Sequence, residues 1–175
     1  DYPVVYVNWC QAEAYCNWAG GRLCGRIGGG VNPTNQHAQA DKSEWMNACS
    51  ANGAWEYPYG PEYEPLACNG EDFQESASLV VSQPSTCQGS VNGLLNMSGN
   101  VYEWTNECDV GQDEDDLCRR RGGSYWSEPH LMRCAMGSSR PRDHVDDYSR
   151  RHFLGSDCVW RRRISVRRVQ CGRSV

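Results

Sequence analysis

The run Gly93–Trp104 constrains the fold of this chain more than any other stretch. Its twelve residues include two glycines, two asparagines, Glu103 and two aromatic side chains. Glycine and asparagine favour turns and left-handed backbone, while the leucine, methionine, valine and aromatic side chains supply apolar surface for a core. The pattern therefore predicts a rigid, buried loop. The oxygens of Asn96 and Glu103, with nearby main-chain carbonyls, suit calcium, which takes about 6–8 hard ligands, although hydrogen bonds alone would also explain them.

Eleven cysteines restrict the compartment and the metal chemistry. No Cys-x-x-Cys pair is present to suggest a zinc site, so we expect disulfides. Disulfides persist in oxidising compartments, which predicts a secreted or periplasmic protein. A chain of 175 residues is long enough for one domain with a real core. No apolar run of about 20 residues could span a membrane, and no signal peptide is visible at Asp1.

Charge is divided unevenly along the chain. Residues 1–149 hold 9 Lys and Arg against 21 Asp and Glu, a net charge of −12, whereas residues 150–175 hold 8 arginines against Asp157, a net charge of +7. The acidic body argues against nucleic acid as a partner. The basic tail could bind polyanions or dock on the acidic body. Docking is favoured because aromatic residues for base stacking are not interleaved with its arginines.

Local patterns predict the first two regular elements. Tyr2–Val7 alternates around valines, which is typical of a short strand. Asn8 is a good helix N-cap with Gln11 at the third helical position, and Gly20 suits the position after the helix end. These residues predict a helix over Trp9–Ala19.

A second helix is predicted to begin at Asp41, with Glu44 completing the cap, and to end at Gly53. Its predicted buried stripe is Trp45, Met46 and Cys49. The aromatic and proline-rich segment Ala54–Pro65 follows. We interpret it as a packed wall, because aromatic stripes usually belong to the core, with a sugar- or peptide-binding ridge as the alternative.

Five stretches, in order along the chain, carry a resemblance to a known family. They are Pro3-Val-Val-Tyr-Val-Asn-Trp9, Ala14-Tyr-Cys-Asn-Trp-Ala-Gly-Gly-Arg-Leu23, Ser43-Glu-Trp45, Gly93-Leu-Leu-Asn-Met-Ser-Gly-Asn-Val-Tyr-Glu-Trp104 and Arg121-Gly-Gly-Ser124. Together they resemble the formylglycine-generating enzyme family, also called the sulfatase-modifying-factor family, over roughly residues 3–155.

The resemblance implies the fold and the domain organisation. The implied fold class is α+β, a loop-rich variant of the C-type lectin fold with two helices packed on short antiparallel strands. We expect a family domain at residues 1–155 and a basic C-terminal tail at residues 156–175. Family members carry further strands before the first motif, so an N-terminal part of the domain is expected to be missing here or to lie on another chain.

The chemistry of the family depends on two cysteine thiolates that hold copper(I), a soft ion that prefers sulfur. With molecular oxygen, these enzymes convert a sulfatase cysteine to formylglycine. The offsets after Arg121-Gly-Gly-Ser124 place Ser127 and Met132 at the two copper positions. Serine is a poor copper ligand and a thioether a weak one. We therefore assign no catalytic residue and do not expect copper as a cofactor.

The resemblance also implies calcium as a cofactor. The implied ligands are Asn96, Gly99, Val101 and Glu103 in one site and Asn69 and Gly70 in another. Asp72 is a further candidate for the second site. Arg121 could pair with a carboxylate, and Glu103 is its candidate partner.

Ten of the eleven cysteines are expected to form disulfides. Position along the chain suggests Cys10–Cys24, Cys68–Cys87 and Cys108–Cys118. The resemblance implies Cys49–Cys134, and Cys16–Cys158 is expected if the C-terminal tail is native. Cys171 is then left over.

With the copper pair absent, the family groove is predicted to bind a peptide or a glycan. Its candidate residues are Trp126, Ser127, His130, Met132, Arg140 and His144. The expected function is a calcium-stabilised, disulfide-rich, secreted binding module without catalytic activity. The alternative is an active copper-dependent oxidase acting on a sulfatase cysteine, or another metalloenzyme that uses the same pocket, with Ser127, His130, Met132 or Cys134 as ligands.

Overall fold

The structure is a computed structural model that describes residues 2–73, 76–109 and 115–145. It contains two α-helices, two short 3-10 helices and one four-stranded sheet. The elements are α1 (Trp9–Trp18), β1 (Asn32–Pro33), a 3-10 helix (Thr34–Gln36), α2 (Glu44–Cys49), β2 (Glu103–Cys108), β3 (Leu117–Arg121), a 3-10 helix (Pro129–Met132) and β4 (Gly137–Pro141). The fold class is α+β, as predicted, and most of the described chain is loop.

Helix α1 begins where the sequence predicts. The side chain of Asn8 accepts a hydrogen bond from the Gln11 N–H at 2.9 Å, and the Gln11 side chain accepts one from the Asn8 N–H at 3.0 Å. This reciprocal capping box satisfies two N–H groups that a helix start leaves unpaired. The helix ends at Trp18, and Gly20 follows with a φ of 77°. The predicted last helical residue, Ala19, is exposed and lies outside the helix.

Helix α2 is shorter than predicted and has a different cap. It begins at Glu44, and the buried hydroxyl of Ser43 accepts a hydrogen bond from the Met46 N–H at 3.0 Å. The prediction that Asp41 caps this helix is wrong, because the Ser43 hydroxyl accepts the hydrogen bond from the first turn of the helix. The helix ends at Cys49, since the chain soon turns through Ala51 and Asn52 with positive φ, which an α-helix does not tolerate.

The sheet order is β1-β2-β3-β4. Strands β2, β3 and β4 pair antiparallel, as expected, whereas the two-residue strand β1 pairs parallel to β2. Glu103 lies opposite Arg121, and a register shift separates that end of the pair from Cys108 opposite Cys118. The irregular register begins at Trp104, where the Gly93–Trp104 loop enters the sheet.

The N-terminal segment, residues 2–7, is not a strand. The prediction from its alternating valines is wrong, because the main chain of residues 2–7 pairs with none of the described strands. Side chains hold it in place instead. The Trp104 indole N–H donates to the Val7 carbonyl at 2.9 Å, and the Trp9 indole N–H donates to the Thr105 carbonyl at 2.9 Å.

The core consists of three clusters of buried side chains. The first joins α1 to the sheet through Trp9, Ala12, Cys16, Leu23, Trp104, Cys108 and Cys118. The second lies between α2 and the Gly93–Trp104 loop and contains Trp45, Cys49, Met97 and Cys134. The third contains Tyr57, Cys68, Cys87 and Met132, with Tyr59 and Tyr63 packed against it. The third cluster supports the interpretation of Ala54–Pro65 as a packed wall.

None of the helices in the described ranges is long and apolar enough to cross a lipid bilayer.

Candidate functional site

The Gly93–Trp104 loop is irregular and buried around its centre, as the sequence predicts. Asn96, Gly99 and Asn100 all have positive φ, between 60° and 71°. A Cβ atom at Gly99 would lie 2.2 Å from the main-chain oxygen of Asn69, so only glycine fits there. The Asn100 N–H donates to that same oxygen at 2.7 Å. The two loops that carry the predicted calcium ligands are therefore packed directly against each other.

Two asparagine side chains in these loops each leave one buried oxygen unused. The Asn96 amide donates to the Val81 carbonyl at 3.0 Å, and the Asn69 amide donates to the Ala77 carbonyl at 3.0 Å. The Oδ1 atoms of both residues are buried and have no hydrogen-bond partner in the described part of the chain. An unsatisfied buried acceptor costs about 1–3 kcal/mol. Both oxygens are thus available to a cation.

Glu103 supplies a third uncommitted oxygen donor. The residue keeps partial exposure, and desolvation by the surrounding protein raises the pKa of its carboxyl group to about 8 because the ionised form loses solvation. No hydrogen bond or ion pair joins the carboxyl to a residue in the described ranges. The predicted pairing with Arg121 is wrong: the Arg121 guanidinium lies 3.6 Å from the carboxylate of Glu107 instead.

The second predicted calcium position is partly committed to other contacts. The Gly70 carbonyl accepts a hydrogen bond from the Phe73 N–H at 3.0 Å. Asp72 is exposed, and its carboxylate accepts a hydrogen bond from the Tyr63 hydroxyl at 3.1 Å. In this loop, the unused Oδ1 atom of Asn69 is therefore the best candidate for a calcium ligand.

The two predicted copper positions are part of the protein interior. Ser127 is 4% exposed, and its hydroxyl accepts a hydrogen bond from the Ser124 N–H at 2.8 Å. Met132 is 1% exposed and packs in the third core cluster, against Gly70. The nearby Cys134 is bonded to Cys49. Two facing thiols are therefore absent from this loop, all of which lies in the described part of the chain.

A cleft of about 170 Å³ lies beside these positions. It forms where the Gly93–Trp104 loop, the Arg-Gly-Gly-Ser motif and the N-terminal segment meet. Its lining residues are Val4, Val5, Tyr6, Val7, Ser78, Val101, Tyr102, Trp104, Ser124 and Tyr125. None of these side chains is charged. Sequence reasoning missed the cleft, although three of the five motifs contribute to it.

Comparison with known proteins identifies the family. The family model described as "Sulfatase-modifying factor enzyme 1-like domain" matches residues 1–161. The chain belongs to the formylglycine-generating enzyme family. Among curated members, the formylglycine-generating enzyme of Bos taurus is 31% identical over 174 residues, which cover 82% of this chain and 41% of that protein.

Other relatives carry different descriptions within the same sequence family. The "inactive C-alpha-formylglycine-generating enzyme 2" of Bos taurus is 30% identical over 157 residues, 83% of this chain and 44% of that protein. The hercynine oxygenase of Mycobacterium tuberculosis is 29% identical over 186 aligned residues, 91% of this chain and 37% of that protein. The chain spans less than half the length of these three curated relatives. The crystal structure of CarF is similar at a TM-score of 0.43 and 20% identity, covering 80% of this chain and 67% of that one, which is too distant to define the fold.

The six predicted groove residues of this formylglycine-generating enzyme family domain differ in burial. Ser127 and Met132 are buried, whereas Trp126 and His130 are exposed, with the His130 ring 3.2 Å from the Glu128 carboxylate. Arg140 is exposed on β4. None of the six predicted groove residues lines the cleft described above. Burial, with the nearby cations Arg120 and Arg140, lowers the pKa of His144, which Asp143 partly offsets.

A buried polar network surrounds Glu107 on strand β2. It was not predicted from the sequence. Glu107 accepts hydrogen bonds from the Asn32 amide at 3.2 Å and the Ser43 hydroxyl at 2.5 Å, and it faces Arg121. Burial lowers the pKa of Arg121 to about 10, an effect that Glu107 opposes. The network joins β1, the start of α2, β2 and β3. Strand β2 reads Glu-Trp-Thr-Asn-Glu-Cys and does not alternate polar with apolar residues, so its pattern gave no signal for a buried Glu107.

Three of the predicted disulfides are present: Cys49–Cys134, Cys68–Cys87 and Cys108–Cys118. The Cys10–Cys24 prediction is wrong, because Cys24 keeps its thiol while Cys10 is bonded to another cysteine. Cys16 is also disulfide-bonded, but its predicted partner Cys158 lies outside the described residues, as does the basic tail. Within the described ranges, no group of three or more His, Cys, Asp and Glu side chains is placed to hold a metal ion. The disulfides support an oxidising compartment.

Proposed function

We propose that this formylglycine-generating enzyme family domain is a secreted, calcium-stabilised module that binds a peptide or a glycan and has lost the copper chemistry of the family. The observation that carries the proposal is the environment of Ser127 and Met132. Both side chains occupy the positions where the family places its thiolates, and both are buried and already engaged with protein. A copper(I) site requires soft sulfur ligands, which these two positions do not supply.

The descriptions of the relatives are compatible with a non-catalytic role, and they also include catalytic proteins. One similar protein is described as inactive, while others are described as a formylglycine-generating enzyme and an oxygenase. Identity is close to 30% in each case, so overall similarity does not separate the activities. The chemistry of the family depends on two specific side chains, so the proposal rests on the residues at those two positions in this chain.

The residues present fit calcium at the Gly93–Trp104 loop. The unused oxygen of Asn96 and the unpaired carboxyl of Glu103, with the carbonyls of Gly99 and Val101, would hold the ion, and the unused Asn69 oxygen would serve the second position. Hard oxygen donors of this kind are the ligands that calcium prefers. Calcium would supply charge compensation for Glu103 and a link between loop segments. Its role would be structural.

Copper(I) titration separates the proposal from an oxidase. The protein, with its disulfides intact, is expected to show no stoichiometric copper(I) site that survives competition with a chelator of moderate affinity. The Cys24→Ser variant controls for binding at the Cys24 thiol. The double variant Ser127→Cys, Met132→Cys restores a sulfur pair and is the positive control. A tight site of one equivalent in the unaltered chain would contradict the loss of copper chemistry.

The binding role is tested on a peptide and glycan array, with and without a calcium chelator. We expect a saturable response that weakens when calcium is removed, because calcium orders the loop beside the cleft. The absence of binding on every array, with and without chelator, would refute the binding role. The domain would then be a structural unit only.

A further inference from the structure

The Gly93–Trp104 loop contains a complete acceptor triplet for N-linked glycosylation. Asn96-Met97-Ser98 has the acceptor form Asn-x-Ser with a middle residue other than proline. Asn32-Pro33-Thr34 has the same spacing, but its proline excludes it, and no other asparagine in the sequence is followed by serine or threonine two positions later. An attached glycan is bulky and hydrated, so acceptor asparagines lie at protein surfaces. The pattern alone therefore predicts an exposed segment.

The structure places this triplet in the interior instead. Asn96 is 7% exposed and Ser98 is fully buried. The Asn96 amide nitrogen, which would carry the sugar, donates a hydrogen bond to the Val81 carbonyl at 3.0 Å. The Ser98 hydroxyl, which the acceptor pattern requires, donates to the Met132 carbonyl at 2.6 Å. Both groups are therefore committed to contacts inside the protein.

The main chain around the triplet is also constrained. The Asn96 N–H donates to the Cys87 carbonyl at 2.9 Å, and Asn96 has a left-handed backbone with φ of 60°. One residue beyond the triplet, a single Cβ atom at Gly99 would already lie 2.2 Å from the main-chain oxygen of Asn69. In an interior packed this closely, a sugar ring attached to Asn96 requires the loop to leave its native place.

We infer that Asn96 accepts an N-glycan only in the unfolded chain, and that glycosylation of Asn96 and the native fold exclude each other. In the modification, the amide nitrogen forms a bond to C1 of the sugar, and the bond between C1 and the pyrophosphate of a lipid-linked oligosaccharide breaks. The nitrogen loses one proton to a base of the transferase. The sequence supplies the acceptor, and folding buries it. This exclusion depends neither on the binding role proposed above nor on calcium.

Maturation of this chain therefore depends on the compartment that its unfolded form enters. Its disulfides need an oxidising environment. In the secretory lumen of a eukaryotic cell, oligosaccharyltransferase acts on unfolded chains, and glycosylation of Asn96 would compete with closure of the Gly93–Trp104 loop. An oxidising compartment without this transferase, such as a bacterial periplasm that lacks it, avoids the competition.

A cell-free assay compares the folded chain with an unfolded form of the same chain. Protein from a periplasm without the transferase is incubated with microsomal membranes and a lipid-linked oligosaccharide, either with its disulfides intact or after reduction and alkylation. Mass spectrometry of the peptide that contains Asn96 should show a glycan in the reduced form and none in the folded form. Asn96→Gln in the reduced form should stay unmodified, which controls for transfer to any other residue.

Production in a eukaryotic secretory system tests the exclusion in cells. We expect secreted chains without a glycan at Asn96 and retained chains that carry one. Blocking the synthesis of lipid-linked oligosaccharide should remove the retained glycosylated form and raise the secreted yield. The matched control is Ala54→Ser, which creates an acceptor triplet at Asn52 on an exposed segment. This variant should be secreted with a glycan at Asn52.

Two results would overturn the inference. A secreted chain that carries a glycan at Asn96, with the disulfides and unfolding temperature of the unglycosylated chain, would show that the fold accommodates the sugar. Absence of a glycan at Asn96 in the reduced chain, when Asn52 of reduced Ala54→Ser is modified, would show that Asn96 is not an acceptor in any state. Neither result bears on the binding role, which the arrays test separately.

Discussion

Single atoms decide the chemistry of the Gly93–Trp104 loop. The buried oxygens of Asn96 and Asn69 have no partner among described residues, and no described cation pairs with the Glu103 carboxyl. At the copper positions, the Ser127 hydroxyl is hydrogen-bonded and Met132 is packed. The Asn69, Asn96 and Glu103 oxygens therefore have no bonding partner among the described residues, whereas the atoms at the copper positions already have contacts. This contrast is why we propose calcium and not copper for the domain.

Glu103 should make the stability of the calcium-free protein depend on pH. Its folded-state pKa of about 8 lies above the ordinary value near 4.3 for glutamate, so its contribution to stability is present below about pH 4 and is lost as pH rises through about 8. At about 1.4 kcal/mol per pKa unit, the loss is on the order of a few kcal/mol. Urea unfolding with chelator at about pH 5 and about pH 8 should show this loss, and Glu103→Gln should reduce it.

The exposed Glu62→Gln variant is the control for that measurement. It should keep the pH dependence of the unaltered protein. Parallel pH dependence in Glu103→Gln and the unaltered chain would mean that Glu103 ionises as freely in the folded state as in the unfolded state.

Gly99→Ala should destabilise the domain more than Gly93→Ala. Both glycines have positive φ, 71° and 81°, so each substitution costs about 1–2 kcal/mol for left-handed backbone. At Gly99 the added Cβ also meets the Asn69 carbonyl at 2.2 Å, whereas nothing lies within 4 Å at Gly93. We expect an additional cost of about 1–3 kcal/mol at Gly99, measured as the difference in the free energy of unfolding. Equal costs at the two sites would show that the loops are not in direct contact.

At the scale of elements, short pieces of regular structure are joined by side-chain contacts from distant segments. Helix α2 has only six residues, too few to be stable alone. Ser43 caps it and also donates to Glu107 at 2.5 Å. Glu107 in turn faces Arg121 on β3. One network therefore fixes the start of the helix relative to strands β2 and β3.

Ser43→Ala should be costly and Asp41→Ala nearly neutral. Losing an N-cap costs about 0.5–2 kcal/mol, and a buried carboxylate that loses a donor adds about 1–3 kcal/mol. Asp41 lies at the surface beside Lys42, and exposed pairs of this kind contribute about 0–1 kcal/mol. The comparison is made by urea unfolding with circular dichroism. A larger loss from Asp41→Ala would restore Asp41 as the helix cap.

At the scale of the whole molecule, cross-links compensate for a scarcity of regular structure. Each of the three core clusters contains one of the disulfides Cys108–Cys118, Cys49–Cys134 and Cys68–Cys87. The widest of these three, Cys49–Cys134, spans 85 residues and joins α2 to the loop that follows the copper positions. Calcium, as proposed, would add a further link at the Gly93–Trp104 loop.

Calcium should raise the stability of the whole domain. A ligand at 100 times its dissociation constant adds about 2.7 kcal/mol to the free energy of unfolding. We expect thermal unfolding to shift upward with calcium, to return with chelator, and to respond less to magnesium, which prefers water and octahedral geometry. The double variant Asn69→Ala, Asn96→Ala should unfold at a temperature independent of calcium. A calcium shift of full size in that variant would exclude these two oxygens as ligands.

Sequence reasoning succeeded where local chemistry is decisive and failed where distant segments compete. The Asn8 capping box, the irregular motif loop and the Cys108–Cys118 pair each depend on residues close together along the chain. The strand at residues 2–7, the cap at Asp41 and the partner of Arg121 were mispredicted, because each outcome depends on which group from elsewhere comes nearest. Packing likewise buries Ser127 and Met132, two of the six predicted groove residues, while the groove itself stays a prediction.

The sequence alone determined the family, the rigid loop and the absence of a sulfur pair, because spaced motifs and residue identities do not depend on packing. Only the tertiary structure decided that two asparagine oxygens remain unused, that Glu107 and not Glu103 faces Arg121, and that an uncharged cleft opens beside the N-terminal segment. These properties belong to relationships between segments up to about a hundred residues apart, such as Val7 and Trp104. Their physical cause is close packing: only one group can occupy a given place in the interior, and the whole fold decides which group that is.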